Sequence, residues 1–306
     1  MSLVEKALKK LHDQRSAAAA GTTPRVSSDA LPDSIAVLPP APSPRLEAHA
    51  APPPAPVPRK SLTVNMSALR AAGLLAPEEE QRRISSEYRQ IKRPLIAAAM
   101  GRGSASAVAN GRVIVVASAL PGEGKTFTSV NLALNMALEK DTSVLLIDAD
   151  LPKPHIGRVL GVSEEPGLLD VLRDESRDVE ADIFSTNIRG LSFLPAGTPN
   201  STATELLASA RMESVLADLM RRDPKRILLF DSSPLLLTTE SRALAGVAGQ
   251  VVIVVRAEST NRQAVLDAVG YVPQDKTVGL VLNQCRGAAA HSYYGYGDYY
   301  GDAPAE

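Results

Sequence analysis

Residues 112–139 read as a strand, a glycine-rich turn and a helix: the apolar run RVIVVAS (112–118) leads into ALPGEGKT (119–126), and an apolar helical stretch follows to 139. Few folds accept that succession. Gly122 and Gly124 let the backbone curl so that its N–H groups surround a β-phosphate, Lys125 reaches the β/γ oxygens, and the Thr126 hydroxyl is placed to ligate Mg²⁺. The helix that starts at Lys125 aims its positive end at the same point. The spacing is that of G-x-x-x-x-G-K-[ST], with Ala119 where the first glycine usually stands. Pro121, Gly122, Glu123, Gly124, Lys125, Thr126 and Phe127 are therefore the expected contacts of a nucleoside triphosphate.

The pattern around this turn repeats. Strands are predicted at 112–118, 143–148, 191–196, 226–231, 250–256 and 278–283, and helices between them at 125–139, 202–221, 239–247 and 260–270. Several of the strands are continuous apolar runs, as expected for strands covered on both faces. The alternation predicts an α/β fold of the phosphate-loop NTPase kind, a mostly parallel sheet flanked by helices on both faces, with ligands beyond the C-terminal strand ends. Two strands end there in acid. LLFDSSP presents Asp231, suited to holding Mg²⁺, and LLIDADLPKP presents Asp148 and Asp150, two residues apart and so on one side of an extended chain. A strand-ending aspartate often only caps a helix, but three converge on one loop. Phosphoryl transfer needs one carboxylate for the metal and another for the acceptor. Asp148 is assigned to metal and acceptor activation, with Asp150 as its second.

The flanks read differently. Eleven of the 23 prolines precede residue 60, so 17–60 is expected to be a disordered Pro/Ala-rich linker. Before it, residues 1–16 carry a short amphipathic helix with Leu3, Val4, Ala7, Leu8 and Leu11 on one face, expected to dock on a partner protein. Residues 61–111 hold a second apolar patch, LTVNMSALRAAGLLAP, expected as a docking segment, and then a helix leading into the core that Pro94 should end or kink. The core is expected to span 112–285. In the last stretch, 286–306, lie five of the seven tyrosines: Tyr293, Tyr294, Tyr296, Tyr299 and Tyr300. They follow no helix or strand period and are read as phosphate acceptors on a flexible tail. Extended chain from Asn283 to these residues spans roughly 33 to 56 Å, so the tail could meet its own site or a neighbour's. Five phosphates would add about −8 to −10 charge to a chain of net charge −1.

That near-neutral balance, without a basic stripe, gives no case for nucleic acid. One cysteine, Cys285, rules out an intramolecular disulfide framework, and neither a signal peptide nor a membrane span is found.

Taken in series, MSLVEKALKKL, LRAAGLLAP, ALPGEGKT, LLIDADLPKPHIGRVLG, LPAGTPNSTATELLASARM, LLFDSSPLLLTTE, VVRAEST, VLN and the terminal tyrosines resemble the bacterial tyrosine autokinases of exopolysaccharide synthesis, in particular the cytoplasmic, exosortase-associated branch. The resemblance covers nearly the whole chain. It implies ATP- and Mg²⁺-dependent phosphorylation of the tail tyrosines, usually between subunits of a homo-oligomer. It further implies a separately encoded membrane chain-length determinant (a polysaccharide co-polymerase) that activates the kinase, recruitment from the cytoplasm to the inner face of the plasma membrane, and control of polysaccharide polymerisation or export. By analogy Asn283 contacts the adenine; on sequence alone it equally caps a turn. There are two departures from the family pattern: Pro152, followed by Lys153, stands where an arginine usually lies two residues after the second aspartate, and the oligomerisation motif E-x-x-R-x-x-R aligns with Ser86, Arg89 and Lys92. Two other readings compete, a ParA/MinD-like positioning ATPase and a nucleotide-gated scaffold without turnover. The first lacks support at Leu120, where such ATPases carry an extra lysine, and Pro152 keeps the second open.

Overall fold

A computed structural model describes residues 60–102 and 108–285. The predicted helix within 1–16, the linker up to Arg59 and the tail tyrosines lie outside the described residues. Eight strands form one sheet: β1 Lys60–Leu62, β2 Val113–Ser118, β3 Ser143–Ala149, β4 Phe184–Thr186, β5 Leu191–Leu194, β6 Arg226–Ser232, β7 Gln250–Arg256 and β8 Thr277–Asn283. Their order is β1-β4-β5-β3-β6-β2-β7-β8. Every neighbouring pair is parallel except β4 with β5. All residues of β2 and β6 are buried, as the unbroken apolar runs require of strands covered on both faces.

Helices α1 Met66–Ala71, α2 Gln81–Met100, α3 Lys125–Ala137, α4 Ile156–Val159, α5 Leu168–Arg173, α6 Ala203–Leu207, α7 Ala210–Arg222, α8 Thr239–Val247 and α9 Arg262–Gly270 connect and cover the strands. Ile114, Val116, Leu146 and Leu229 from the sheet pack with Val130, Leu132 and Met136 of α3 in one apolar cluster. The helix expected over 202–221 is broken at Ser209, which caps α7 through the Met212 N–H. Pro94, by contrast, does not end α2. Pro94 and Gln90 one turn earlier are both exposed, so water takes the carbonyl that the missing N–H leaves free, while Leu95 and Ile96 bury on the other side.

The apolar patch at 62–77, read from sequence as a docking element, is spent on this chain's own core. Asn65 caps α1 by accepting from the Ser67 and Ala68 N–H groups at 2.9 and 3.1 Å, and Leu69, Leu74 and Leu75 are buried. Asn131 of α3 donates to the Leu74 carbonyl at 3.0 Å. Lys92 is likewise turned inward: its ammonium donates to the Asn135 carbonyl at 2.7 Å and pairs with Glu139 at 2.6 Å. The third position of the aligned oligomerisation motif is thus occupied within the subunit.

Candidate active site

The site lies where β2, β3 and β6 end. Parallel pairing sets Asp148 of β3 opposite Asp231 of β6, so the two carboxylates leave adjacent strands at one level, beside the loop that leaves β2. That loop is shaped by two left-handed glycines, Gly122 (φ 78°) and Gly124 (φ 94°). At Gly124 a Cβ would be strained at this φ and would displace the Asn283 side-chain nitrogen, 2.0 Å away. Asn283 instead donates from Nδ2 to the Glu123 carbonyl at 2.9 Å, and Gln284 donates from Nε2 to the Gly122 carbonyl at 3.2 Å. The α3 helix opens directly from the loop, with the Thr128 N–H bonded to the Gly124 carbonyl at 2.9 Å.

Lys125 is buried and its Nζ lies 3.9 Å from Asp150 Oδ2. The other oxygen of Asp150 accepts the buried Ser233 hydroxyl at 2.8 Å. Asp231 Oδ1 accepts Ser129 Oγ at 2.8 Å. Asp148 Oδ2 accepts the Gly157 N–H at 3.0 Å. The remaining oxygens, Asp148 Oδ1 and Asp231 Oδ2, are buried with no hydrogen-bond partner. Burial, then the neighbouring charges of Asp231 and Asp150, pushes the Asp148 carboxyl up to about 7. Burial also raises Asp231 to about 6, against the hydrogen bonds from Ser129 and Thr126 and the charge of Lys125.

Two orphaned carboxylate oxygens beside a threonine hydroxyl are the hard donors that Mg²⁺ takes. Among the described residues no group of three or more His, Cys, Asp or Glu is placed to hold a metal. An ion here would complete its shell with water and phosphate oxygens, as Mg²⁺ usually does. Phe127, expected near the nucleotide, packs its ring partly against the core. Pro121 is exposed at the loop's outer edge. The loop, Lys125 and the three aspartates thus come together as the spacing suggested. Ser129 and Ser233 went unnoticed in the sequence, yet both had a signal: Ser129 lies one helical turn after Lys125, and Ser233 two residues after Asp231 on the same side.

Fold and site together define a phosphate-loop α/β domain. A family profile described as an AAA domain matches residues 111–274, more than half of the chain. The putative tyrosine-protein kinase EpsB of Ralstonia nicotianae is 31% identical over 192 residues, which is 62% of this chain and 25% of that protein. Tyrosine-protein kinase YwqD of Bacillus subtilis is 28% identical over 238 residues, 77% of this chain and 95% of that one. Among solved structures, the VpsO kinase domain aligns with a TM-score of 0.55 at 30% identity, covering 69% of this chain and 100% of that domain. The chain belongs to the bacterial tyrosine kinases within this AAA-domain family. It spans a quarter of the length of EpsB and nearly all of YwqD.

Proposed function

We propose that this chain is an ATP-dependent protein-tyrosine kinase whose acceptors are its own terminal tyrosines, Tyr293, Tyr294, Tyr296, Tyr299 and Tyr300. The observation that carries this reading is the convergence of Lys125, Asp148, Asp150 and Asp231 on one glycine-shaped loop. Loop N–H groups and Lys125 hold the β- and γ-phosphates of ATP. Thr126, Asp148 and Asp231 would hold Mg²⁺, which when bound neutralises charge on the phosphate oxygens. Full burial suits Asp148 to that task. Asp150, whose side chain is 16% exposed, is the carboxylate that an incoming hydroxyl reaches. With one oxygen fixed by Ser233, its other takes the proton as the tyrosine Oη bonds to the γ-phosphorus and the bond to the ADP oxygen breaks.

The rest of the reading follows the family. The kinase domain is assigned to 112–285 and the acceptor tail to 286–306, with transfer between subunits of a homo-oligomer. Asn283 stands at the mouth of the loop, where it can meet a base. A membrane chain-length determinant is the proposed activating partner, holding the kinase at the inner face of the plasma membrane; no helix among the described residues is long and apolar enough to cross a membrane. A role in exopolysaccharide export is supported by the 31% identity over 178 residues to ExoP of Rhizobium meliloti, a succinoglycan biosynthesis transport protein.

The test is purified protein with Mg-ATP, followed by intact mass and phosphopeptide mapping, beside Lys125→Ala and a variant with all five terminal tyrosines replaced by phenylalanine. Tail phosphotyrosine in the parent and its loss in both variants is the expected result. No tail phosphate, even with the membrane partner's cytoplasmic segment added, would sink the kinase reading. Hydrolysis without tyrosine phosphate would indicate a positioning ATPase, and nucleotide binding without either a scaffold.

A further inference from the structure

An acidic side chain in a loop that cradles phosphates is out of place on charge alone, since it repels the ligand it lies next to. Glu123 sits between the two left-handed glycines and is only 2% exposed. Its carboxylate has turned away from the phosphate side and into the protein. There Oε2 accepts the Leu120 N–H at 2.7 Å, and Oε1 accepts the Thr260 hydroxyl. Leu120 is the start of the same loop. Thr260 belongs to a different one, the Ala257–Asn261 connection that leaves β7 and whose last residue caps α9.

The two acceptances do different work. The bond to Leu120 closes the loop on itself, so one backbone donor is satisfied internally and the curl exists before any phosphate arrives. The bond to Thr260 fastens that curl to the end of β7, two strands' width from β6. Only a carboxylate accepts strongly through both oxygens at once, and charge-assisted bonds of this kind are about twice as strong as neutral ones. The buried charge has a desolvation cost, which a two-ended brace can offset and a one-ended contact cannot. The Glu123 carbonyl meanwhile takes the Asn283 amide, so one residue ties the loop to the ends of both β7 and β8.

We propose that Glu123 is a positioning residue for nucleotide binding: through Leu120 and Thr260 it holds the phosphate loop in its anion-ready curl, with Thr260 as the second half of the brace. The brace acts on the proposed kinase reaction, but its effect is read first as nucleotide affinity, which does not depend on the kinase reading.

The experiment titrates the full chain with a methylanthraniloyl-labelled ADP and Mg²⁺, for the parent, Glu123→Ala, Glu123→Gln, Thr260→Val and the Glu123→Ala/Thr260→Val pair. Losing a charge-assisted pair should weaken binding about tenfold in Glu123→Ala. Glu123→Gln, which can still accept from Leu120 and donate to the threonine oxygen, should stay within about threefold. Thr260→Val should cost about threefold to fivefold, and the double variant should be no weaker than Glu123→Ala, because the two act as one unit. Where phosphotransfer is measurable, the loss should fall on KM for ATP more than on kcat. Binding by Glu123→Ala within twofold of the parent would overturn the proposal, as would multiplication of the two single effects in the double variant. If Glu123→Ala does not fold, Thr260→Val decides: a loss of about threefold to fivefold supports the brace, and binding equal to the parent overturns it. An intact affinity pattern without tail phosphorylation would overturn the kinase reading and leave the brace standing.

Discussion

Two sets of buried aspartates, at opposite degrees of satisfaction, separate chemistry from architecture in this molecule. Asp170, in the first turn of α5, has both oxygens engaged: Oδ2 accepts the Gly167 and Thr198 N–H groups at 3.0 and 2.9 Å, and Oδ1 accepts the Arg173 guanidinium at 2.7 Å. Burial pushes its carboxyl up, but these hydrogen bonds and the Arg173 charge outweigh it and leave Asp170 below the usual carboxylate range. Asp148 and Asp231 are buried at least as deeply, yet each keeps an oxygen without a partner and both titrate far above that range. The chain stitches a loop with the first and leaves in the others the oxygens that the proposed Mg²⁺ site would use. Burial alone therefore does not tell these aspartates apart; hydrogen-bond satisfaction does.

The sharpest way to break this comparison is Asp148→Asn. Removing this proposed metal-holding carboxylate should lower tail phosphorylation by about 10²–10⁴-fold. The same change relieves a buried like-charge pair, so the nucleotide-free protein should melt about 2–4 °C higher. A variant that is both inactive and less stable by calorimetry would show that Asp148 is architectural. The opposite signature is expected of Asp170→Ala, which leaves the buried Gly167 N–H and the part-buried Thr198 N–H without their acceptor. A loss of about 2–4 kcal/mol in urea unfolding is expected, with ADP affinity changed less than twofold.

How far this contrast could be read from the amino acids depends on distance along the chain. The loop, Lys125 and the strand-end acids were legible because each motif is local and strand alternation puts strand ends together. Asp170 was not, since GLLDVLRDE gives no sign that its partner N–H belongs to Thr198. The short strands Lys60–Leu62 and Phe184–Thr186 pair across more than a hundred residues, and three-residue strands carry too little pattern to stand out. The 62–77 patch was visible as apolar, but nothing in it says whether its own core or another protein covers it. Glu123 read as a loop position; that its side chain turns inward to Thr260 is a tertiary fact.

A smaller effect separates the two sets by pH. Asp148 and Asp231 hold protons in the folded, nucleotide-free protein up to about 7 and about 6, whereas the unfolded chain releases them near an ordinary value of about 3.9. Between those limits the folded state binds more protons, so their contribution makes stability fall as pH rises from about 4 to 7. Asp170 works in the other direction: its depressed value adds stability that is complete above about 4 and is lost as pH falls below it. Urea midpoints from pH 4.5 to 7.5 should decline in the parent and flatten in Asp148→Asn. An equal slope in both would remove the titration from this pair.

The least perturbing test concerns Arg173. It forms the only ion pair of Asp170 among the described residues, but its side chain is 52% exposed, and it lies three residues along the same helix turn. Surface pairs of this kind contribute about 0–1 kcal/mol, because water already solvates the guanidinium and two side chains must be held in one geometry. The Gly167 N–H, by contrast, is buried and has no solvent to return to. If the backbone donors carry the stitch, Arg173→Ala should cost under about 1 kcal/mol and keep most of the acid sensitivity that Asp170 confers. A loss as large as that of Asp170→Ala would mean that charge pairing, rather than the two backbone donors, is what distinguishes this aspartate from the pair at the phosphate loop.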